Sequence, residues 1–193
     1  MTSDRLVRSY GSSQRCSTDL ISRYHAPPAM FLRDAVTDDA AAIAALYASF
    51  VTDSTVTFEE TPPDGTEIAR RIAGVQAQGL PWIVAEEEGG LTGYAYATPW
   101  RARRGYRFSV EVTVYVAPAH HRRGVGRALY QTLFARLAAA GYHAAMAGIA
   151  LPNPPSVALH EALGMKQVAH FQETGFKFGR WVDVGYWERL LGD

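Results

Sequence analysis

Cysteine is almost absent from this chain of 193 residues, which contains only Cys16. A single cysteine excludes an intramolecular disulfide and any metal site built from several thiolates, and it is typical of a reducing compartment. Net charge is absent too, because 19 Lys and Arg balance 19 Asp and Glu. A chain without excess positive charge lacks the sequence-independent attraction that nucleic-acid binders use. We therefore expect no nucleic-acid partner.

Long apolar runs are also missing. No segment approaches the ~20 apolar residues of a membrane-spanning helix, and the N-terminus lacks the apolar core of a secretory signal. Hydrophobic residues make up 48% of the chain and charged residues 20%, which are the values of an ordinary globular protein. The sequence thus predicts a cytoplasmic protein with no membrane partner and a single compact domain.

Residues 1–29 differ from the rest of the chain. They are rich in Ser and Arg, and their apolar residues follow no steady period. Such a segment has little apolar surface to offset the entropy of ordering it, so we predict a flexible N-terminal extension. An Arg-rich transit peptide is the alternative, which Asp4 and Asp19 disfavour. The folded domain is predicted to span residues 30–193.

From residue 30 onward, strand and helix patterns alternate. Apolar residues at helical spacing predict four helices. The first begins after Thr37, the second spans residues 66–78, the third centres on Leu133 and the fourth spans residues 155–163. Period-two or short apolar runs predict strands over residues 31–36, 82–87, 91–98, 107–116, 143–151, 167–172 and 182–188. This order predicts an α/β (α+β) fold, with one central mixed sheet and helices on both faces.

The segment after strand 107–116 is the most informative one. A helix begins there, and two glycines and three arginines surround its start: Arg122, Arg123, Gly124, Gly126 and Arg127. Free N–H groups and the helix dipole make such a start an anion site, and glycine lets the anion approach the backbone. We interpret the segment as a pyrophosphate site, with a plain turn as the alternative. It is not a Walker loop, because the Gly-Lys-Ser/Thr ending is absent.

This segment resembles the acetyl-CoA motif of the GNAT superfamily of N-acetyltransferases. Four other segments resemble the phosphinothricin and methionine sulfoximine acetyltransferase family within it: TVTFEE (55–60), GYAYA to WRAR (93–103), LPNPPSVALHEALG (151–164) and GFKFGRWVDVG (175–185). The resemblance covers residues 31–190. It implies a GNAT domain that transfers acetyl from acetyl-CoA, without a metal, to the amine of a small amino-acid-like acceptor such as phosphinothricin, methionine sulfoximine or methionine sulfone. It also implies a homodimer.

The resemblance implies roles for individual residues as well. Glu111 matches the catalytic carboxylate of the family, and His160 matches its second catalytic residue. The implied cofactor-binding residues are Val114, Tyr115, Val116, Arg122, Arg123, Gly124, Val125, Gly126, Arg127, Ala128, Asn153 and Ser156. The sequence departs from the family at one position, because His121 stands where a Gln or Arg usually opens the loop motif.

The chemistry of acetyl transfer supports a base at Glu111. An amine attacks a thioester only when it is neutral, and a carboxylate beside it can take its proton directly or through a water. Without the resemblance, Glu111 is equally well a surface carboxylate. For His160 three roles stay open: orienting the substrate, relaying a proton or protonating the leaving thiolate. Tyr115 is an alternative proton donor, although packing is the simpler interpretation of its side chain.

Four residues are candidates for acceptor binding. Arg101 and Arg103 offer guanidinium groups to an acceptor carboxylate, with a solvated loop as the alternative. Phe58 and Tyr106 are candidate pocket walls or core residues. Glu59 stands where we expect a basic residue in herbicide-resistance members, which favours the broader branch that acts on amino-acid analogues.

Other functions stay open. One is transfer to a polyamine, an aminoglycoside or a protein N-terminus, although zero net charge disfavours strongly cationic acceptors. Another is a non-catalytic CoA-binding module, which the presence of both Glu111 and His160 disfavours.

Overall fold

The computed structural model describes residues 30–192. The predictions for residues 1–29, Cys16 included, lie outside the described residues. Within them, seven strands and four α-helices follow one another in the predicted order: β1 (Phe31–Asp34), α1 (Ala40–Asp53), α2 (Gly65–Gln76), β2 (Trp82–Glu87), β3 (Gly90–Pro99), β4 (Ser109–Val116), α3 (Val125–Ala139), β5 (Ala144–Leu151), α4 (Pro154–Ala162), β6 (Lys166–Lys177) and β7 (Arg180–Leu190).

The strands form one sheet in the order β1-β2-β3-β4-β5-β7-β6. All neighbours pair antiparallel except β4 and β5, which run parallel. A parallel pair needs a crossover connection, and α3 provides it between these two strands. The predicted mixed sheet is therefore confirmed.

The side chains of β4 alternate between the two faces of the sheet, and a different helical layer covers each face. Tyr115 points to one face, where its ring centroid lies 4.9 Å from that of Tyr47 on α1. Val112 belongs to the other layer, whose buried core includes Leu129 and Leu133 of α3. Helices therefore cover both faces, as predicted, and Glu111 lies on the same face as Tyr115 because strand residues alternate.

The last two strands are longer than the sequence predicts. β6 has 12 residues and β7 has 11, and they meet in a tight turn at Phe178 and Gly179, whose φ angles are 51° and 72°. Positive φ at both positions is the geometry of a two-residue hairpin turn. The predicted strand over residues 167–172 covers only part of β6, because most of β6 is exposed and two irregularities interrupt its register, so its side chains do not alternate cleanly.

Candidate active site

The sheet opens between β4 and β5. The two strands pair only from Ser109 to Glu111, although both continue for five residues beyond this point. β4 remains paired with β3 and β5 remains paired with β7 along those residues. The separation leaves a wedge-shaped opening in the middle of the sheet, and Glu111 stands where the wedge begins.

The open edge of β4 carries backbone groups that no strand pairs. The Val112 carbonyl oxygen lies 3.5 Å from the Tyr130 hydroxyl, and the Val116 carbonyl oxygen lies 2.9 Å from Nε2 of His121. Because every second residue of a strand points the same way, the N–H and C=O groups of Val114 also face the opening. His121, the departure from the family motif, therefore ties the loop after β4 to the end of that strand.

The start of α3 lies across the wide end of this opening. Gly124 has a φ of 85° and precedes the first helical residue, Val125, so the N–H groups of the first turn have no partner within the helix. Gly126 also meets a packing requirement. A Cβ atom there would lie 3.1 Å from Leu159 of α4 and 3.5 Å from Val116, so glycine allows α3 to pack closely against its neighbours.

The three arginines around this helix start are not equivalent. Arg123 donates toward Glu87, whose side chain is only 7% exposed, with Nη2 and Oε2 3.1 Å apart. His120 approaches the same oxygen at 3.7 Å. Arg122 and Arg127 form no ion pair with any residue in the range 30–192. Of the three guanidinium groups that the sequence predicts for anion binding, two therefore have no ion-pair partner among the described residues.

The N-terminus of α4 follows β5 on the other side of the opening. Asn153 caps this helix, because its Oδ1 accepts a hydrogen bond of 3.2 Å from the N–H of Ser156. The Ser156 carbonyl oxygen in turn lies 2.7 Å from Nδ1 of His160. The structure therefore brings the predicted residues of α4 to the opening that the predicted residues of β4 line.

His160 is buried, with 3% of its surface exposed. Its Nδ1 donates to the Ser156 carbonyl, and burial lowers the pKa of the ring below its ordinary value of 6.5. In the resulting neutral ring Nε2 is an acceptor, and it lies 3.1 Å from the Tyr130 hydroxyl. Sequence reasoning missed Tyr130; the available signal was one polar group within the apolar stripe of α3.

Glu111 lies on the opposite face from His160, next to Tyr186 of β7. A Cβ atom built on Gly148 of β5 would lie 3.4 Å from Oε1 of Glu111 and 3.3 Å from the Tyr186 hydroxyl. Burial raises the pKa of Glu111 above its ordinary value of 4.5, while Arg101 and the Tyr186 hydroxyl partly oppose this effect. This environment makes the carboxylate a stronger proton acceptor than an exposed one.

A cavity of about 310 Å³ adjoins this carboxylate. Its lining combines aromatic walls with both signs of charge: Trp100, Arg101, Tyr106, Ser109, Met146, Val168, Ala169, Phe171, Tyr186 and Glu188. Tyr186 is held edge-to-face, with its ring centroid 5.3 Å from that of Trp100 and 5.9 Å from that of Phe171. Of the predicted acceptor residues, Arg101 and Tyr106 line this cavity, whereas Arg103 and Phe58 do not.

Phe58 lies instead over β6. A Cβ atom at Gly175 would be 2.1 Å from its ring, so the ring rests directly on that backbone. The loop that carries Phe58 is anchored from two sides: Glu59 pairs with Arg71 at 2.7 Å, and Lys177 donates to the Thr57 carbonyl at 2.8 Å. Glu59 is thus already neutralised by Arg71.

Tyr115 contributes neither its backbone nor its side chain to the opening, because its backbone groups face β3. Its ring packs among three others, with centroids 4.9 Å from Tyr47, 5.1 Å from Phe50 and 5.5 Å from Tyr94. Burial raises the pKa of its hydroxyl well above the ordinary value. These contacts favour the packing interpretation over the role of a proton donor.

Two features are absent from residues 30–192. None of the helices in that range is both long and apolar enough to cross a membrane. The described part of the chain also contains no group of three or more His, Cys, Asp or Glu side chains arranged to hold a metal ion.

Comparison with known proteins identifies the class to which this fold and opening belong. Residues 32–185 match the acetyltransferase (GNAT) domain. The chain therefore belongs to the GNAT family and is an acetyltransferase.

Named relatives of this chain specify the branch. A phosphinothricin N-acetyltransferase of Alcaligenes faecalis is 46% identical over 80% of this chain and 79% of its own length. The L-methionine sulfoximine/L-methionine sulfone acetyltransferase of Salmonella typhimurium is 35% identical over 85% and 96%. The crystal structure of a phosphinothricin acetyltransferase from Sinorhizobium meliloti in complex with acetyl-CoA aligns with a TM-score of 0.81, at 41% identity, over 84% of this chain and 89% of that one. The predicted family and fold are thereby confirmed.

Proposed function

We propose that this protein transfers acetyl from acetyl-CoA to the amino group of a small amino-acid-like acceptor, with Glu111 as the general base. One observation carries the proposal: the opening between β4 and β5 ends at a half-buried carboxylate, and a cavity of about 310 Å³ adjoins that carboxylate. The named activities of the relatives support the choice of acetyl donor and acceptor.

The opening suits the elongated acetyl-CoA molecule. Free backbone groups of Val114 can pair with the amides of pantetheine as a neighbouring strand would. The first-turn N–H groups of α3, with Arg122 and Arg127, are suited to the pyrophosphate. Asn153 and Ser156 stand at the N-terminus of α4, which follows β5 on the other side of the opening. The thioester then lies near the point where the two strands separate, beside Glu111.

Glu111 removes the proton that keeps the acceptor amine unreactive. As the amine nitrogen forms its bond to the acetyl carbonyl carbon, the carbon–sulfur bond breaks, and the leaving thiolate takes up the proton that the nitrogen loses on becoming an amide. The raised pKa of Glu111 makes it a stronger base than an exposed glutamate. His160 acts through Tyr130, because its Nε2 accepts from that hydroxyl and holds the hydroxyl oxygen 3.5 Å from the Val112 carbonyl oxygen at the open edge of β4.

Arg101 is the group suited to an acceptor carboxylate. It lines the cavity that adjoins Glu111, and its positive charge lowers the pKa of that carboxyl, opposing the effect of burial. An α-amino acid carries its ammonium and its carboxylate on the same carbon atom and fits such a pair. Arg103 has no corresponding place in the cavity lining, so we assign the carboxylate to Arg101 alone.

Release of free thiol from acetyl-CoA tests the proposal. The panel contains methionine sulfoximine, methionine sulfone, phosphinothricin, a polyamine, an aminoglycoside and a peptide with a free N-terminus, and mass spectrometry identifies the acetylated product. We expect turnover with at least one amino-acid analogue. Turnover only with the other amines would assign a different acceptor class. Binding of CoA without release from any amine would leave a non-catalytic module.

We also propose a homodimer and a cytoplasmic location. Three large aromatic residues stand exposed on the β6–β7 hairpin: Phe176, Phe178 and Trp181. Exposed apolar clusters of this kind mark association surfaces. Sedimentation of the wild type and of the Trp181→Glu variant tests the dimer, which we expect the variant to weaken. A wild type that sediments as a monomer contradicts it.

A further inference from the structure

A second carboxylate shares one row of the sheet with Glu111. Glu111 is in register with Met146 of β5, and Met146 is in register with Glu188 of β7. All three side chains therefore point to the same face. Since neighbouring strands lie ~4.8 Å apart, the Cα atoms of the two glutamates are about 10 Å apart.

Glu188 lines the cavity without a partner of its own. Its neighbours in the lining include Trp100, Ser109 and Tyr186. Among residues 30–192 it forms no ion pair and its side chain makes no hydrogen bond. Lys166 stands opposite Glu188 in the β6–β7 register, but it is not within ion-pair distance and does not line the cavity. The negative charge of Glu188 is thus available to a bound molecule.

The amine and the carboxylate of an α-amino acid already have partners in the proposed site. Its amine belongs beside Glu111 and its carboxylate beside Arg101, which leaves only the acceptor's side chain to extend along the cavity. The lining offers that side chain the aromatic rings of Phe171 and Tyr186 and the carboxylate of Glu188. The charge at the far end of the acceptor is therefore the property that this cavity can distinguish.

We infer that Glu188 is a specificity-determining residue, which favours acceptors with a neutral, hydrogen-bond-donating end and rejects those with an anionic end. The inference rests on the proposed function. Methionine sulfoximine carries an uncharged N–H at this end, whereas phosphinothricin carries an anionic phosphinate. In a partly dry cavity two like charges repel strongly, and repulsion of the wrong ligand is an efficient source of specificity.

Steady-state kinetics with the two analogues test this assignment. We expect the wild type to have a kcat/KM about 10-fold or more higher for methionine sulfoximine than for phosphinothricin. The Glu188→Gln variant keeps the shape and removes the charge, so its kcat/KM for phosphinothricin is expected to rise about 10-fold, with a change below about 3-fold for methionine sulfoximine. Asp38→Asn is the matched control, since it removes an exposed carboxylate beside the opposite edge strand, β1.

Each outcome of these measurements supports or overturns the inference. If the wild type has the same kcat/KM for phosphinothricin as for methionine sulfoximine, the inference is overturned while the proposed function stays intact. An unchanged preference in Glu188→Gln, with the unfolding temperature of the wild type, does the same. The same preference change in Asp38→Asn would show a general charge effect and would also overturn it. Acetylation of neither analogue by any of the proteins overturns the inference and the proposed acceptor class together.

Discussion

Nε2 of His160 lies 3.1 Å from the hydroxyl oxygen of Tyr130, and both groups are buried. The other ring nitrogen is committed to the Ser156 carbonyl. His160 therefore has no free nitrogen with which to reach a substrate, and its influence on the reaction passes through the tyrosine. Two consequences can be measured, one in stability and one in turnover.

Stability should fall on acidification because His160 is buried in its neutral form. Burial lowers its pKa in the folded state, so the unfolded chain takes up a proton around pH 6.5 while the folded chain resists it. The stabilising contribution is complete above pH 6.5 and is lost as the pH falls toward the folded pKa, by at most ~1.4 kcal/mol per pH unit. Urea unfolding at several pH values checks this. The slope should be shallower in His160→Gln, and an equal slope in both proteins contradicts the assignment.

Tyr130→Phe removes the hydroxyl and leaves His160 Nε2 without its partner. An unsatisfied buried acceptor costs about 1–3 kcal/mol, so we expect a less stable protein. If Tyr130 also orients the reacting groups, kcat falls while the KM for acetyl-CoA stays near that of the wild type. Phe134→Leu, in the same core beside Tyr130, is the control for stability alone. A stable, fully active Tyr130→Phe protein would refute the role of this pair.

Glu111→Gln should abolish general-base catalysis while preserving the volume of the side chain. General bases contribute about 100-fold to 10,000-fold, so kcat is expected to drop at least about 100-fold at neutral pH. Wild-type activity should decline as the pH falls through the raised pKa of Glu111, and the variant should lack that decline. Calorimetric binding of CoA serves as the control and should be unchanged. Undiminished turnover would mean that Glu111 is not the base.

Tyr186→Phe should move the acidic limb of the wild-type pH profile. The Tyr186 hydroxyl lowers the pKa of Glu111, so its removal raises that pKa, and activity is then lost at a higher pH than in the wild type. The ring and its contacts with Trp100 and Phe171 remain. The measurement is kcat/KM as a function of pH. A limb at the wild-type position, in a protein of normal stability, rejects the coupling of these two residues.

Gly148→Ala should obstruct the acceptor. Its methyl group would meet the Tyr186 ring at 3.2 Å and Oε1 of Glu111 at 3.4 Å, in the space where the amine meets its base. We expect acceptor kcat/KM to fall about 10-fold, because small misplacements in an active site are costly. Gly74→Ala in α2 adds the same methyl where nothing lies within 4 Å. That control should keep full activity and gain about 0.5–1 kcal/mol of stability. Equal kinetics in the two variants would contradict the prediction.

Local patterns predicted most of the elements for identifiable reasons. Leu129, Leu133 and Leu137 repeat along one face of α3, and all three are fully buried. Glycines at positive φ, such as Gly124, mark turns because other residues avoid that conformation. β6 was predicted only in part, since its exposed side chains carry no apolar period.

The residues of the candidate site also fall into two groups, those that local sequence patterns predict and those that they do not. Glu111, His160 and the loop at Gly124 belong to contiguous motifs, which a sequence displays directly. Tyr186 and Glu188 belong to no such motif; they become neighbours of Glu111 only because β7 pairs with β5 in one particular register. Arg103 and Phe58 have the right chemistry in the sequence, and the fold places them outside the cavity lining.

The sequence by itself determined the family, the order of the elements and the residues that open α3, because these depend on spacing within short segments. Only the tertiary structure decided that the Tyr130 hydroxyl forms a hydrogen bond with the ring of His160, 30 residues away, and that Arg71 forms an ion pair with Glu59. It also placed Glu188 in the row of Glu111. Such contacts depend on strand register and helix placement, which arise from the packing of the whole core and leave no mark in any local run of residues.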